Sequence, residues 1–169
     1  MQKAFLSFAY GVWVTAYARH NLWTAILNIG PDYLYSDTDS VKIINGESHK
    51  EYFESYNTEI VAALNDCCKY YNIDPERTRP KNSKGKVKQL GIWDYEGRYK
   101  RFKTLGAKRY LYKRGDKYGL VVAGLGKSGL KYLLNKYGDD IFEHFDDGMT
   151  IPAEYRLPPP WWAFFSSVS

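Results

Sequence analysis

From Ser7 to Asn28, apolar side chains recur on two helical stripes. Trp13, Ala16, Tyr17, His20, Trp23 and Leu27 mark one, and Phe5, Phe8, Val12 and Ala16 mark the other. The spacing predicts a helix that is apolar nearly all round, and such a helix is expected to be packed inside something. Gly30-Pro31 ends it. Asp32–Tyr35 and Val41–Ile44 are short strand candidates, so Ser36–Ser40 between them predicts a hairpin that Asn45-Gly46 closes off. Ser48-His49-Lys50-Glu51 has the capping-box pattern, and Phe53, Tyr56, Ile60, Ala63, Leu64, Cys67 and Tyr71 follow at helical spacing. Asp74 to Lys88 reads as a polar, basic loop. Gln89 to Val122 then turns aromatic, β-favouring and turn-punctuated, which predicts an antiparallel meander of about three or four strands. Gly124-Leu125-Gly126 breaks that run, Lys127 to Tyr137 predicts a helix, Asp140 to Phe145 a shorter one, and Pro158-Pro159-Pro160 a loose end. Helices and antiparallel strands in separate blocks predict an α+β fold: an antiparallel sheet with packed helices over 1–122, then a small second unit over 123–169.

Composition changes this picture in three ways. At 169 residues, 44% apolar and 17% aromatic, the chain has the makeup of a folded protein rather than a disordered one. Charge is unevenly spread. Between Arg77 and Lys117 stand fifteen Lys or Arg against three acids, leaving nine basic and sixteen acidic residues for the rest of the chain. A middle segment this basic predicts a polyanion partner. Finally, the only cysteines, Cys67 and Cys68, are neighbours, and the three histidines lack metal-ligand spacing, so no disulfide or zinc site is expected. The N-terminus imitates a signal peptide, but Ser7, Gly11 and Thr15 interrupt its apolar run, and the pattern continues through Leu27. The expectation is a protein that is not secreted and has no membrane span, since no segment reaches the roughly 18 unbroken apolar residues of one.

The candidate chemistry lies in Tyr35-Ser36-Asp37-Thr38-Asp39-Ser40. Asp37 and Asp39, across a hairpin, can bring carboxylate oxygens to a common point. Magnesium takes such hard oxygen ligands, and two such ions are the standard device for in-line nucleotidyl transfer. A bare D-x-D is more often only a turn, because Asp, Ser and Thr bond their own backbone.

What alters that balance is a resemblance. YSDTDS resembles the Y-G-D-T-D-S motif C of family B DNA polymerases, with Tyr35, Asp37, Thr38, Asp39 and Ser40 matching and Ser36 standing where the family usually has Gly. Gly11 to Arg19 resembles the palm helix that precedes motif C in the protein-primed, phage-type branch, at a spacing that needs no gap. Leu90-Gly91-Ile92-Trp93 and Tyr99 to Lys103 lead into Lys108-Arg109-Tyr110, which resembles the family's K-x-Y motif on a strand beside the primer–template. Ala123-Gly124-Leu125 followed by a helix looks like the passage from palm to thumb. The likeness runs from about Gly11 to Tyr155, and motif C is its specific part. Independently, a strand through Lys108-Arg109-Tyr110 would set Lys108, Tyr110 and Tyr112 on one face, where cations beside aromatic surface suit a phosphate–sugar backbone.

The resemblance implies a partial polymerase palm over 1–122 and a thumb from 123. It also implies two Mg2+ ions in the complete enzyme, with Asp39 bridging both and Asp37 assisting. Tyr35 and Thr38 would shape the turn near the primer terminus, and Lys108, Arg109 and Tyr110 would contact the DNA primer–template. The remaining partners it implies are dNTP, a terminal priming protein and an N-terminal polymerase portion, in a phage or mobile-element protein of the host cytoplasm. Motif A, motif B and exonuclease motifs are not found in the sequence. The expectation is therefore a C-terminal palm-and-thumb piece that binds magnesium weakly and does not polymerise alone. Two rivals stand beside it: a non-catalytic DNA-binding module derived from a polymerase, and a stand-alone metal phosphoesterase. The phosphoesterase needs Asp32 or Glu47 to converge on the hairpin. A nucleotide P-loop at Gly126-Lys127-Ser128 fails, because its first glycine position is Val121.

Overall fold

The computed structural model describes residues 8–155, which form two compact units, 8–96 and 97–155. The division falls between Glu96 and Gly97 rather than after Val122, where the change from strands to helices placed it. The reason is packing: the meander shares its core with the helices that follow it, so sheet and helices close as one unit. The fold is α+β, with two small antiparallel sheets.

In the first unit, helix α1 runs Phe8–Ile29, and Gly30, in the left-handed region at φ 61°, ends it where Gly30-Pro31 predicts. Strands β1 (Tyr33–Asp37) and β2 (Ser40–Ile43) form the predicted hairpin. Helix α2 spans Lys50–Tyr70. Its capping box does not form: a 3₁₀ turn at Gly46–His49 feeds the helix, and no side chain caps it. His49 is instead held by Asp32, Nε2 to Oδ2 at 2.8 Å.

The expectation that α1 is packed inside something fails within this unit. Ala25 and Ile29 are buried at its C-terminal end, but Trp13 is 60% exposed, Tyr17 63% and Leu27 77%. A short unit with one hairpin and one further helix offers too little surface to cover a 22-residue apolar helix.

Residues 89–98 are not strand, another departure from the predicted meander. They pack along α2. Asn57 brackets Trp93, donating from Nδ2 to the Trp93 carbonyl at 2.9 Å and accepting the Trp93 N–H on Oδ1 at 2.7 Å. Phe53 meets the Trp93 ring edge-on, with centroids 5.7 Å apart. An amide side chain that satisfies both backbone groups of one residue substitutes for the strand pairing that the aromatic pattern suggests.

In the second unit, β3 (Arg101–Gly106), β4 (Arg109–Arg114) and β5 (Lys117–Val122) form a three-stranded antiparallel meander. Helix α3 (Lys127–Tyr137) and the short α4 (Ile141–His144) follow as predicted. Leu111 from the sheet, Leu133 from α3, and Ile141, Phe142 and Phe145 around α4 make the buried core. Among the described residues no helix is long and apolar enough to cross a membrane. Pro158–Pro160 and Trp161-Trp162 lie outside the described residues, as do Phe5 and Ser7.

Two substitutions test this packing. Asn57→Ala leaves the Trp93 N–H and carbonyl unpaired, at a cost of about 1–3 kcal/mol. Hydrogen exchange at the Trp93 amide is expected to accelerate; unchanged protection would contradict the bracket. Leu133→Ala is expected to lower the stability of the second unit by about 2–5 kcal/mol in denaturant titration.

Candidate functional site

The hairpin is tighter than its sequence predicts. Asp37 pairs with Ser40 across the ladder, so only Thr38 and Asp39 form the loop. Two-residue hairpin loops need positive φ at the first central position, normally supplied by glycine. Here Thr38 takes it, at φ 55°. For a β-branched residue this is an outlier, and residues held in such conformations cost of order 1–3 kcal/mol and cluster at functional sites.

Hydrogen bonds hold the loop there. The Asp39 N–H donates to the Asp37 carbonyl at 2.6 Å, and the Ser40 hydroxyl donates to the same carbonyl at 3.2 Å. The Thr38 hydroxyl donates to Asp37 Oδ1 at 3.1 Å, which orients that carboxylate. The Asp39 side chain is exposed and makes no hydrogen bond or ion pair among the described residues. The turn thus sets an oriented carboxylate on the strand end two residues from an open one at the tip. Both are hard oxygen donors of the kind magnesium prefers. Among the described residues, no group of three or more His, Cys, Asp or Glu side chains is placed to hold a metal.

Register fixes the rest of the hairpin. An extra residue in β1, Leu34, bulges between the Tyr33–Ile43 and Tyr35–Lys42 pairs. Bulges bend a strand and re-aim its side chains. Here the Tyr33 hydroxyl lies 2.9 Å from the Ser36 hydroxyl. Tyr35 is buried. Lys42, opposite it, pairs with Glu96 at 3.0 Å. At the far end the Ile44 N–H donates to the Asp32 carbonyl at 2.9 Å, and the Asp32 carboxylate takes Asn45 Nδ2 at 3.0 Å as well as His49. Asp32 is committed to the hairpin base, and Glu47 sits in the 3₁₀ turn beyond it. Neither acid that the phosphoesterase alternative requires is at the tip.

The basic sheet is arranged differently from the strand alternation proposed for it. Lys108 is not on a strand. It sits in the β3–β4 turn at φ 53°, and its carbonyl accepts the Ala123 N–H at 3.1 Å. β4 begins at Arg109, so Arg109, Leu111 and Lys113 share the core face, while Tyr110 and Tyr112 share the other. Arg109 binds Asp147 at 2.5 Å and the Leu105 carbonyl at 2.7 Å. Lys113 bonds the Tyr118 hydroxyl at 2.9 Å, and that hydroxyl in turn donates to Asp139. The Tyr118 bond, and then the Lys113 charge, hold the Asp139 carboxyl below its usual range.

On the opposite face, Phe102 stacks on Tyr110 at 5.4 Å, and Tyr99 meets Tyr112 edge-on at 5.0 Å. Gly119, across from Tyr112, has no side chain because a Cβ there would run into the Tyr112 ring. The structure therefore brings Tyr110 together with Tyr99, Phe102 and Tyr112, and separates it from Arg109. Phe102 and Tyr99 are the members the sequence reasoning missed. Their signal was the alternation of Phe102 with Thr104, in register with Tyr112 and Tyr110.

No family model matches the sequence, and neither a curated protein nor a solved structure matches the chain.

Replacing Thr38 by Gly separates strain from ordinary turn chemistry. Relief of the positive φ, less the extra entropy of Gly, is expected to raise stability by up to about 1 kcal/mol in thermal or urea unfolding. A loss of that size would mean that the Thr38 hydroxyl bond outweighs the strain.

Proposed function

We propose that this chain is a palm-and-thumb portion of a DNA-directed DNA polymerase similar to the protein-primed family B branch. In this proposal the hairpin supplies two carboxylates of its nucleotidyl-transfer site. The observation that carries the proposal is the YSDTDS hairpin itself: motif C identity at five of six positions, on a two-residue loop held in a strained conformation that sets Asp37 and Asp39 at its tip. A loop built only to reverse the chain has no need to spend strain on a threonine at a glycine position.

In the complete enzyme, Asp39 and Asp37 would hold the magnesium ions, which would supply charge neutralisation at the phosphate oxygens of the incoming dNTP. The primer 3′-hydroxyl would give up its proton to water as its oxygen attacks the α-phosphorus, the α–β P–O bond would break, and pyrophosphate would leave. Thr38 orients Asp37 through its hydroxyl. Tyr35, buried beneath the strand, fixes the height of the hairpin near the primer terminus. Lys108 contributes a phosphate contact from its turn, and Tyr110 contributes aromatic surface for the sugar–phosphate backbone. Arg109, already bound to Asp147, acts by supporting the sheet. The apolar surface of α1 that this unit leaves exposed supports a covering partner, which we take to be the polymerase portion bearing motifs A and B.

Primer extension with a polypeptide that carries motifs A and B tests the proposal. Magnesium-dependent extension is expected only with both parts present, and Asp39→Asn is expected to abolish it while leaving DNA affinity unchanged. Persistent failure to extend, with DNA binding intact, would favour the non-catalytic DNA-binding module. Lys108→Ala is expected to weaken binding to all DNA sequences alike, making the slope of log affinity against log salt shallower by about 0.9.

A further inference from the structure

Residues 78–90, most of which fall in the stretch from Asp74 to Lys88 that reads as a polar loop, form an ordered ribbon. The Leu90 N–H donates to the Thr78 carbonyl, the Lys88 N–H to the Pro80 carbonyl and the Asn82 N–H to the Lys86 carbonyl, each at 2.9 Å. Lys81 and Val87 bridge between them. At the tip, Asn82 Oδ1 accepts the N–H groups of both Lys84 and Lys86 at 2.9 Å, and Gly85 takes φ 75°. The two chain segments run antiparallel up to a turn pinned by one asparagine.

Its charges fall into two sets. Near the root, Arg79 bonds Gln89 and Lys88 pairs with Asp94, holding the Asp94 carboxyl below its usual range. Toward the tip, Lys81, Lys84 and Lys86 are exposed, and their ammonium groups make no hydrogen bond or ion pair among the described residues. The ribbon thus holds three like charges within six residues on a fixed backbone, and of these only Lys86 feels an acid, the Asp94 carboxylate that Lys88 already engages. A groove of about 420 Å³ lies along the ribbon, lined by Lys86, Lys88, Val87 and Ile92.

We propose that this ribbon is a DNA-backbone grip in which Lys81, Lys84 and Lys86 each contact a phosphate. The inference rests on the polymerase proposal and adds to it a contact in the first unit, separate from Lys108 and Tyr110. Three features select the phosphodiester backbone. Lysine is a point-charge donor suited to phosphate rather than to base edges. A two-stranded ribbon is of a size that a DNA groove admits. The tip carries Asn82, Ser83 and Gly85 between its lysines, with no apolar residue to enter a lipid surface.

Fluorescence anisotropy of a labelled 20-base-pair duplex, titrated across salt concentrations, tests the grip. K81A/K84A/K86A is expected to make the salt slope shallower by about 2.7. That corresponds to roughly forty-fold less affinity lost between 50 and 200 mM salt. Lys50 and Lys69 lie on α2 of the same unit, each beside an acid, and K50A/K69A is expected to leave the slope unchanged. Equal loss per lysine in both variants would mean generic charge and overturn the grip. If wild type binds DNA and the triple variant keeps its slope, the grip is wrong and DNA binding stands. If wild type does not bind at all, grip and DNA-polymerase proposal fall together. Phosphatidylserine vesicles serve as the competing polyanion; binding to them with no binding to DNA would also overturn it.

Discussion

The first unit turns on how few residues join β1 to β2. With Asp37 paired to Ser40, two residues must reverse the chain, and the first must adopt positive φ. Thr38 does so against its own steric preference. The carbonyl of Asp37 compensates by accepting two bonds, and its carboxylate is fixed by the Thr38 hydroxyl. The bulge at Leu34 and the Asp32 lock on Asn45 and His49 keep the ladder from slipping. A one-residue slip would send Tyr35 out of the core and move both aspartates off the tip. Position of the carboxylates and stability of the hairpin are therefore one property.

Much of this was legible from the chain. The stripe of α1, the Gly30-Pro31 stop, the acidic hairpin, α2 and α3 all follow from periodicity and punctuation, because those signals are local. What escaped was decided by contacts distant in sequence. Asn57 captures Trp93 and turns an aromatic, strand-like stretch into a packed segment. A 3₁₀ turn at Gly46–His49 feeds α2, and the capping box does not form. Lys108 leaves the strand because the sheet begins one residue later, which places Arg109 on the core face. The ribbon from Thr78 to Leu90 was hidden by its composition, although Asn82 three residues before Gly85 is a turn signal.

Charge and apolar surface mark two places in the first unit where the described residues do not satisfy one another. Lys81, Lys84 and Lys86 at the tip of the ribbon form no ion pair among the described residues, while the arginine and lysine nearest its root are neutralised. The N-terminal two-thirds of α1 expose tryptophan and tyrosine with a single arginine among them. The first feature suits a polyanion and the second suits a protein surface. The polymerase part we propose, binding DNA with one surface and the remainder of its enzyme with another, would account for both.

The central claim is that Asp37 and Asp39 are metal ligands rather than turn residues, and manganese used as a paramagnetic stand-in for magnesium tests it in the isolated chain. Amide resonances of Asp37, Thr38 and Asp39 are expected to broaden at lower manganese concentrations than those of Asp139-Asp140 or Asp146-Asp147, acidic pairs of the same formal charge in which Asp139 and Asp147 each face a cation. In D37N/D39N the hairpin broadening is expected to vanish while the other pairs respond as before. Broadening at the hairpin no stronger than at those pairs, or broadening that survives the double substitution, would contradict the account.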